Sequence, residues 1–308
     1  MPAPTSSDPF VPWPRHTVAA PSRVSGITLF TGAATTLTIR PTPAGHPGGL
    51  TIRRTDLPGS PAFPMTIAHL VPEARHTVLS LNPSDPKAPQ VHTAEHVLSA
   101  LIGMGITDAA LELDGPEIPV ADGSAEPFAA AINGEGGGVV PFKSAREATL
   151  PLRISQPFVV EQAGASIRAE PSEYGSNELH LEYRLDYGAA SPIRPQLSSL
   201  RIRWGEASGS YRSAIGPART FCLLEEAQIM RQMGLFKHLE PRDMLVIGPD
   251  GDPIDNTWRF ADEPARHKLL DLLGDLALAG RPIVGRITAA RAGHALNHEM
   301  ARTLLLNA

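Results

Sequence analysis

The chain has 308 residues, enough for two domains that each bury an apolar core. It has 42% hydrophobic residues, a net charge of −5 and no dense run of Lys and Arg, so we expect a globular protein without a nucleic-acid partner. Its only cysteine, Cys222, cannot form an internal disulfide, and its first residues do not resemble a secretory signal. We therefore expect a cytoplasmic protein with at most a peripheral membrane contact. We also expect a monomer.

The first half of the chain is predicted to hold a short arm and an N-terminal domain. Residues 1–14 are rich in Pro and Ser, which is typical of a disordered segment. The domain is expected over residues 15–135. It opens with short apolar runs that are typical of strands, at residues 35–40, 50–54 and 76–81.

A helix follows these strands, from about Thr93 to Met104, because apolar side chains recur there at spacings of three and four. Thr93 is the expected N-cap of this helix. A strand over residues 109–114, a loop over 115–128 and a short Ala-rich helix complete the domain.

The second half repeats this order after a Gly-rich, charged linker at residues 136–148. In a C-terminal domain over residues 149–308, we predict the following elements: a helix near 222–233, a strand at 244–248, a helix near 262–279, a strand at 282–290 and a C-terminal helix. Asp262 can cap the helix near 262–279, and Gly280 can end it. Strands followed by helices in both halves predict the α+β class, with each domain a sheet packed with helices.

The sharpest local pattern lies in the helix predicted near 262–279. His267 and Asp271 are four residues apart and therefore share one face, which Asp275 continues one turn on. Such a pair could bind a metal or could form an ordinary ion pair. Taken alone, the spacing favours the ion pair, because a bare HxxxD recurs often by chance.

A second pattern places Glu95 and His96 in the first turn of an amphipathic helix. The positive end of the helix dipole favours an ionised carboxylate and disfavours a protonated imidazole there. Both effects suit a base beside a neutral metal ligand. The alternative is that Glu95 completes the helix start and His96 is a half-buried core histidine.

Two further positions could enter a cleft. His294 follows the flexible Gly293 at a junction between strand and helix, and Thr220 is predicted just before a helix. Either residue could equally be a cap.

Two histidines and one carboxylate from separate elements match a catalytic zinc site, which keeps one position for water. The other histidines, among them His76 and His298, have no comparable spacing and are expected to be ordinary core or surface residues. His76 is singled out only because its predicted strand lies shortly before Glu95.

Seven stretches, in this order, resemble the UDP-3-O-acyl-N-acetylglucosamine deacetylases of lipid A biosynthesis. They are SGITLFTG (25–32), RRTDL (53–57), TAEHVLSAL (93–101), PEIPVADGSAEPF (116–128), ARTFCLLEE (218–226), DEPARHKLLDLLGDL (262–276) and GHALN (293–297). Each motif is weak alone, but together they span nearly the whole chain from about Pro14. The resemblance implies two similar two-layer α+β domains with a zinc site at their interface.

By motif position, the resemblance implies His96, His267 and Asp271 as the ligands of Zn²⁺, with Fe²⁺ as the alternative metal. It implies Glu95 as general base and His294 as general acid, with Asp275 as the carboxylate partner of His294. The implied substrate contacts are Thr220, Phe221 and Lys268, and the implied substrate is an acylated UDP-amino sugar.

The chain departs from the family pattern in three places. Phe30 stands where the family usually has a histidine, residues 236–241 replace a stretch that is typically glycine-rich, and residues 256–258 replace a more usual Glu-Gly-Leu. The segment 236–241 is expected to border the passage for the acyl chain. Two other functions therefore stay open: an amidohydrolase with a reshaped passage for another N-acylated amino sugar, and a silent paralogue that only binds the nucleotide sugar.

Overall fold

A computed structural model describes residues 15–43, 45–73, 75–142, 150–172, 177–204 and 209–307. The predicted disordered arm, residues 1–14, lies outside these ranges, and so do residues 143–148 of the predicted linker and residue 149. Within the described ranges, no helix is long and apolar enough to cross a membrane.

The described part of the first half forms ten strands and two α-helices. These are β1 His16–Val18, β2 Ser22–Ile27, β3 Ala34–Arg40, β4 Leu50–Arg54, β5 Phe63–Pro64, β6 Leu70–Val71, β7 Val78–Ser80, β8 Gln90–Val91, α1 Glu95–Gly103, β9 Ala109–Leu113, α2 Glu126–Ile132 and β10 Val139–Pro141.

The second half contributes eight strands and four α-helices among the described residues. These are β11 Leu152–Arg153, β12 Phe158–Gln162, β13 Ala165–Glu170, β14 Glu178–Leu185, β15 Gln196–Arg203, α3 Gly209–Ala214, β16 Phe221–Leu223, α4 Leu224–Gln232, β17 Leu245–Ile247, α5 Glu263–Leu276, β18 Ile283–Ala290 and α6 His294–Asn307.

The main sheets of the two halves have the same topology. The first has the order β2-β3-β9-β4-β5 and the second β12-β13-β18-β14-β15, with β11 as an additional strand beside β18. In each sheet the last strand in sequence lies between the second and the third, antiparallel to one and parallel to the other. The predicted α+β class with two similar halves is therefore confirmed.

Alternating sequence explains why each sheet buries one face. In β14, Leu179, Leu181, Tyr183 and Leu185 are buried, whereas the residues between them are more accessible. This period of two is the signature of a strand with one face on the core. Most of the buried apolar residues described in the two halves belong to one continuous hydrophobic cluster.

Helices α1 and α5 pack against each other and join the two halves. Helix α5 also packs on β14 and β15, and α6 packs on α5. The two helices approach closely at Gly274, where an added Cβ would lie 2.1 Å from the carbonyl oxygen of Glu95. Only glycine allows the backbone at the start of α1 to approach α5 so closely.

A smaller unit lies beside this helix pair. Strands β16 and β17 are parallel, with α4 between them in sequence. Leu239, Met244 and Val246 of this unit form a separate buried cluster, against which Leu29 and Phe236 pack.

The predicted strands match observed ones within three residues at either end, but two local predictions are wrong. Thr93 is not the N-cap of α1, since the cap residue is Ala94 and no side chain caps the helix. Thr220 precedes the strand β16, so it is not a helix cap either. Within the expected linker, β10 pairs with β1, and the domain boundaries stay a prediction.

Candidate active site

The predicted ligand residues come together where α1 meets α5. His96 lies in the first turn of α1, and His267 and Asp271 lie on successive turns of α5. One nitrogen or oxygen atom from each lies within 4.8 Å of the other two. All three side chains are buried.

The donor atoms fit a cation. Asp271 Oδ1 is buried with no hydrogen-bond partner, 3.3 Å from His267 Nε2 and 3.7 Å from His96 Nε2. His267 donates its Nδ1 proton to the carbonyl oxygen of Ala218 at 3.1 Å, so a neutral His267 presents a lone pair to Asp271. Facing lone pairs are unfavourable unless a cation lies between them, which supports a metal at this position.

Burial keeps both imidazoles neutral. It lowers the pKa of His96 to about 3, aided by the nearby His267, and it also lowers the pKa of His267. Burial works to raise the pKa of Asp271, but His267 and the Lys268 ammonium outweigh it and hold that pKa below its usual value. Two neutral nitrogens and an ionised carboxylate are the protonation states that a metal requires.

A second buried group lies one turn further along α5. His294 donates its Nδ1 proton to Asp275 Oδ2 at 2.8 Å, and Asn297 Nδ2 donates to the same oxygen at 2.9 Å. Burial alone would lower the pKa of His294, but the Asp275 carboxylate raises it to about 9. His294 is therefore held as an imidazolium at neutral pH.

The pKa of Glu95 is also raised, but for Glu95 burial itself is the main cause. Its Oε2 accepts a hydrogen bond from the Thr77 amide at 3.0 Å, and the side chain is buried. Burial raises the pKa of Glu95 to about 7, with His294 opposing the rise and Asp275 and Asp271 adding to it. A carboxylate poised near pH 7 suits proton abstraction.

The backbone next to Glu95 is strained. Thr93 has φ 60°, a left-handed conformation that a β-branched residue rarely adopts. Its hydroxyl donates to Glu117 Oε1 at 3.1 Å, and the same carboxylate accepts the amide of Phe30 at 3.0 Å. Such strain persists where the surroundings enforce it, often at functional sites.

A cavity of about 910 Å³ opens over these groups. Eight of the nine predicted site residues line it: Glu95, His96, Thr220, Phe221, His267, Lys268, Asp271 and His294. Asp275 lies behind His294. Lys268 Nζ donates to Asp271 Oδ2 at 2.9 Å and lies 6.0 Å from the centre of the Phe221 ring.

The departures from the family pattern meet in the same cavity. Phe30, Phe236, Leu239 and Pro241 line it, and the rings of Phe30 and Phe236 are 5.3 Å apart. His238 Nε2 donates to the Thr28 carbonyl oxygen at 3.0 Å. This hydrogen bond connects the replaced segment 236–241 to the chain just before Phe30. Two segments about two hundred residues apart in sequence thus form one wall.

The third departure supports this wall from outside. Asn256 Nδ2 donates to the carbonyl oxygen of Pro241 at 3.2 Å, and its Oδ1 accepts from Arg219 Nη1 at 2.8 Å. Arg219 is held in turn by the buried carboxylate of Glu263 at 2.9 Å.

Sequence reasoning missed three buried residues of the site: Thr77, Asn297 and His298. His298 follows His294 by four residues, a spacing that places both on one helix face and could have revealed it. Asn297 lies three residues after His294 on the same helix. Thr77 carries no such signal, because its partners Asp275 and His298 lie 198 and 221 residues away.

The class that these features match is the α+β metalloenzymes, because two α+β halves meet at a buried group of histidines and aspartate that could hold a metal. Residues 15–306 match the family model of the UDP-3-O-acyl N-acetylglycosamine deacetylases, and the chain belongs to this family.

Several relatives carry the name UDP-3-O-acyl-N-acetylglucosamine deacetylase. The protein of Myxococcus xanthus is 33% identical over 94% of this chain and 86% of its own length. That of Trichormus variabilis is 34% identical over 94% of this chain and 98% of its own. That of Thermosynechococcus vestitus is 34% identical over 99% of this chain and 98% of its own.

Proposed function

We propose that this protein hydrolyses the N-acetyl group of a UDP-3-O-acyl-N-acetylglucosamine, a step of lipid A biosynthesis, with zinc bound by His96, His267 and Asp271. The observation that carries the proposal is the pairing of Glu95 and His294 beside those three residues. One is a carboxylate poised near neutrality and the other an imidazolium, and both line one cavity.

Two nitrogen donors and one carboxylate are a common ligand set of catalytic zinc, and Fe²⁺ accepts the same set. When bound, the metal would polarise the amide carbonyl and lower the pKa of a water molecule. Asp271 Oδ1 is buried without a hydrogen-bond partner, and a bound metal would supply the positive charge that this oxygen lacks.

Glu95 takes the proton of the attacking water. Its ionised form is held by the Thr77 amide, and its raised pKa lets it accept a proton near pH 7 and release it later.

His294 delivers a proton to the nitrogen of the leaving amino sugar. The Asp275 carboxylate fixes its Nδ1 proton, so Nε2 is the atom left to face the reaction, 3.9 Å from Asp271 Oδ2. The imidazolium also stabilises negative charge on the oxygen of the tetrahedral intermediate.

Thr220, Phe221 and Lys268 orient the substrate. Thr220 and Phe221 reach the cavity from the start of β16, and Lys268 reaches it from α5 between His267 and Asp271. A hydroxyl and an ammonium group are donors for the acetamide and sugar oxygens, and the Phe221 ring offers an apolar face.

The test is release of acetate from the acylated UDP-sugar, together with the zinc content. Glu95→Gln should keep the metal and lower kcat by about 10²–10⁴-fold, because the amide cannot accept the proton. Glu112→Gln, a matched change on β9 outside the cavity, should retain activity. An unchanged kcat in Glu95→Gln would remove Glu95 from the mechanism. A zinc-loaded wild type that binds the sugar without releasing acetate would identify a silent paralogue.

The cavity wall formed by Phe30 and Phe236 supports a more specific proposal, that the enzyme prefers substrates with a short acyl chain or none. Apolar residues such as Leu224, Met230 and Leu239 line the cavity, and Phe30 and Phe236 add bulk to it. Burying each CH₂ is worth about 0.8 kcal/mol, or roughly fourfold in kcat/KM, until the chain meets the wall.

Substrates that differ only in acyl length test this preference. The wild type should show an optimum of kcat/KM at short chains, and Phe30→Ala and Phe236→Ala should move it to longer ones. Phe158→Ala removes a half-buried ring of β12 outside the cavity and should leave the optimum in place. A steady rise to long chains in the wild type would rule out the narrowed passage, and a flat response would favour an amidohydrolase that does not bind the chain.

A further inference from the structure

Thr77 connects the two proposed proton-transfer groups. It is fully buried, just before β7, and its amide donates to Glu95 Oε2 at 3.0 Å. Its hydroxyl donates to Asp275 Oδ1, whose other oxygen holds His294. Its carbonyl oxygen accepts the amide of Ala94, directly before Glu95. Thr77 thus contacts Asp275, which is the partner of the proposed acid. It also contacts Glu95, the proposed base, and the residue directly before α1.

The direction of each hydrogen bond follows from counting protons. An ionised Asp275 can only accept, and a hydroxyl has one proton to donate. Thr77 uses that proton on Asp275 Oδ1, so its oxygen must accept from His298 Nε2 at 2.9 Å. His298 Nε2 also lies 3.3 Å from Asp275 Oδ1, and its side chain is buried. His298 therefore carries its proton on Nε2.

We propose that Thr77, held by His298, is a positioning residue that fixes Glu95 and the Asp275–His294 pair relative to each other. The inference rests on the proposed function, since Glu95 and His294 must flank one substrate to move protons to and from it.

Its physical basis is that the Thr77 hydroxyl makes the shorter of the two contacts on Asp275 Oδ1. Without the hydroxyl, Asp275 Oδ1 keeps only the longer contact with His298, and the carboxylate can turn and carry His294 with it. Outer partners of this kind typically change activity by 10–100-fold when they are removed. The amide of Thr77 still holds Glu95 in such a variant, so the loss falls on the acid side of the site.

Three threonine variants separate positioning from simple stability. Thr77→Val keeps the shape and the amide but removes the hydroxyl, and it should lower kcat by about 10–100-fold with KM nearly unchanged. Thr77→Ser restores the hydroxyl and should restore most of kcat. Thr17→Val removes a buried hydroxyl that accepts the Thr42 amide at 3.0 Å in β1, and it should match Thr77→Val in Tm but keep full kcat.

A double-mutant cycle tests the route through Asp275. In an Asp275→Asn background, Thr77→Val should cost little further activity, because both changes act on the same carboxylate. Equal losses in both backgrounds, or a full kcat in Thr77→Val, would overturn the proposal.

Nitrogen-15 spectra of labelled histidine give a readout without turnover. They should show a proton on His298 Nε2 in the wild type and in Thr77→Ser, and a His298 without that proton would contradict the network. A wild type that releases no acetate defeats the proposed function instead, so the two failures are distinct.

Discussion

Asp275 shows how much single residues depend on their buried partners. Its two oxygens accept from Thr77, His294, Asn297 and His298, and its side chain is fully buried. Burial works to raise its pKa, but the two histidines reverse the effect and hold it far below its usual value. A permanent anion at this position makes His294 a stronger base.

The pH dependence of the reaction should follow from that pair. His294 must be protonated to act as an acid, so activity is lost as pH rises through its pKa, about 9 with Asp275 ionised. Asp275→Asn removes the anion, and burial then lowers the pKa of His294. The alkaline limb of the kcat/KM profile should therefore move to lower pH.

Asp186→Asn is the matched control for this change. Asp186 pairs with Arg291 on the surface at 2.7 Å, so its loss should leave the limb where it is. An unmoved limb in Asp275→Asn would show that the two residues are not coupled.

At the scale of elements, the site depends on the contact between α1 and α5. These helices supply Glu95, His96, His267, Asp271 and Asp275. The carbonyl oxygen of Glu95 lies against Gly274 and leaves no room for a side chain. The spacing of the two helices therefore sets the distance between Glu95, the proposed base, and the proposed ligands on α5.

Gly274→Ala tests this spacing, because a tight contact predicts that the variant is less stable to unfolding and a loose one predicts that it is more stable. In a free helix, Gly to Ala stabilises by about 1 kcal/mol. Here the new methyl group would meet the Glu95 carbonyl oxygen at 2.1 Å, so we expect a net loss of about 1–3 kcal/mol and a lower kcat.

Gly26→Ala is the control for this variant. Gly26 lies in β2, outside the cavity, and a Cβ added there would lie 3.5 Å from Pro119, an ordinary van der Waals distance. The kcat of Gly26→Ala should therefore not change. A Gly274→Ala variant as active and as stable as the wild type would show that α1 and α5 can move apart without effect.

At the scale of the whole molecule, the two halves share one core and meet at the proposed metal. A ligand that binds only the folded state stabilises it, by about 2.7 kcal/mol at a hundredfold excess over Kd. The metal should therefore contribute to holding the halves together as well as to the reaction.

Removal of the metal should lower Tm by several degrees in the wild type, as measured by thermal unfolding with and without a chelator. Asp271→Ala should lose the metal and the activity, and the chelator should then leave its Tm unchanged. Full metal occupancy in Asp271→Ala, measured by elemental analysis, would show that the ligand assignment is wrong.

The sequence by itself determined the fold class, the positions of the helices that carry Glu95, His267 and His294, and the shared face of His267 and Asp271. These follow from local periodicity, because a spacing of four on a helix fixes a shared face and alternation on a strand fixes a buried one. Only the tertiary structure decided the place of Thr77, the strained Thr93, the close approach at Gly274 and the wall of Phe30 and Phe236. The physical reason is that these features are contacts between segments far apart in the chain, where the geometry of packing, rather than the local pattern, chooses the partner.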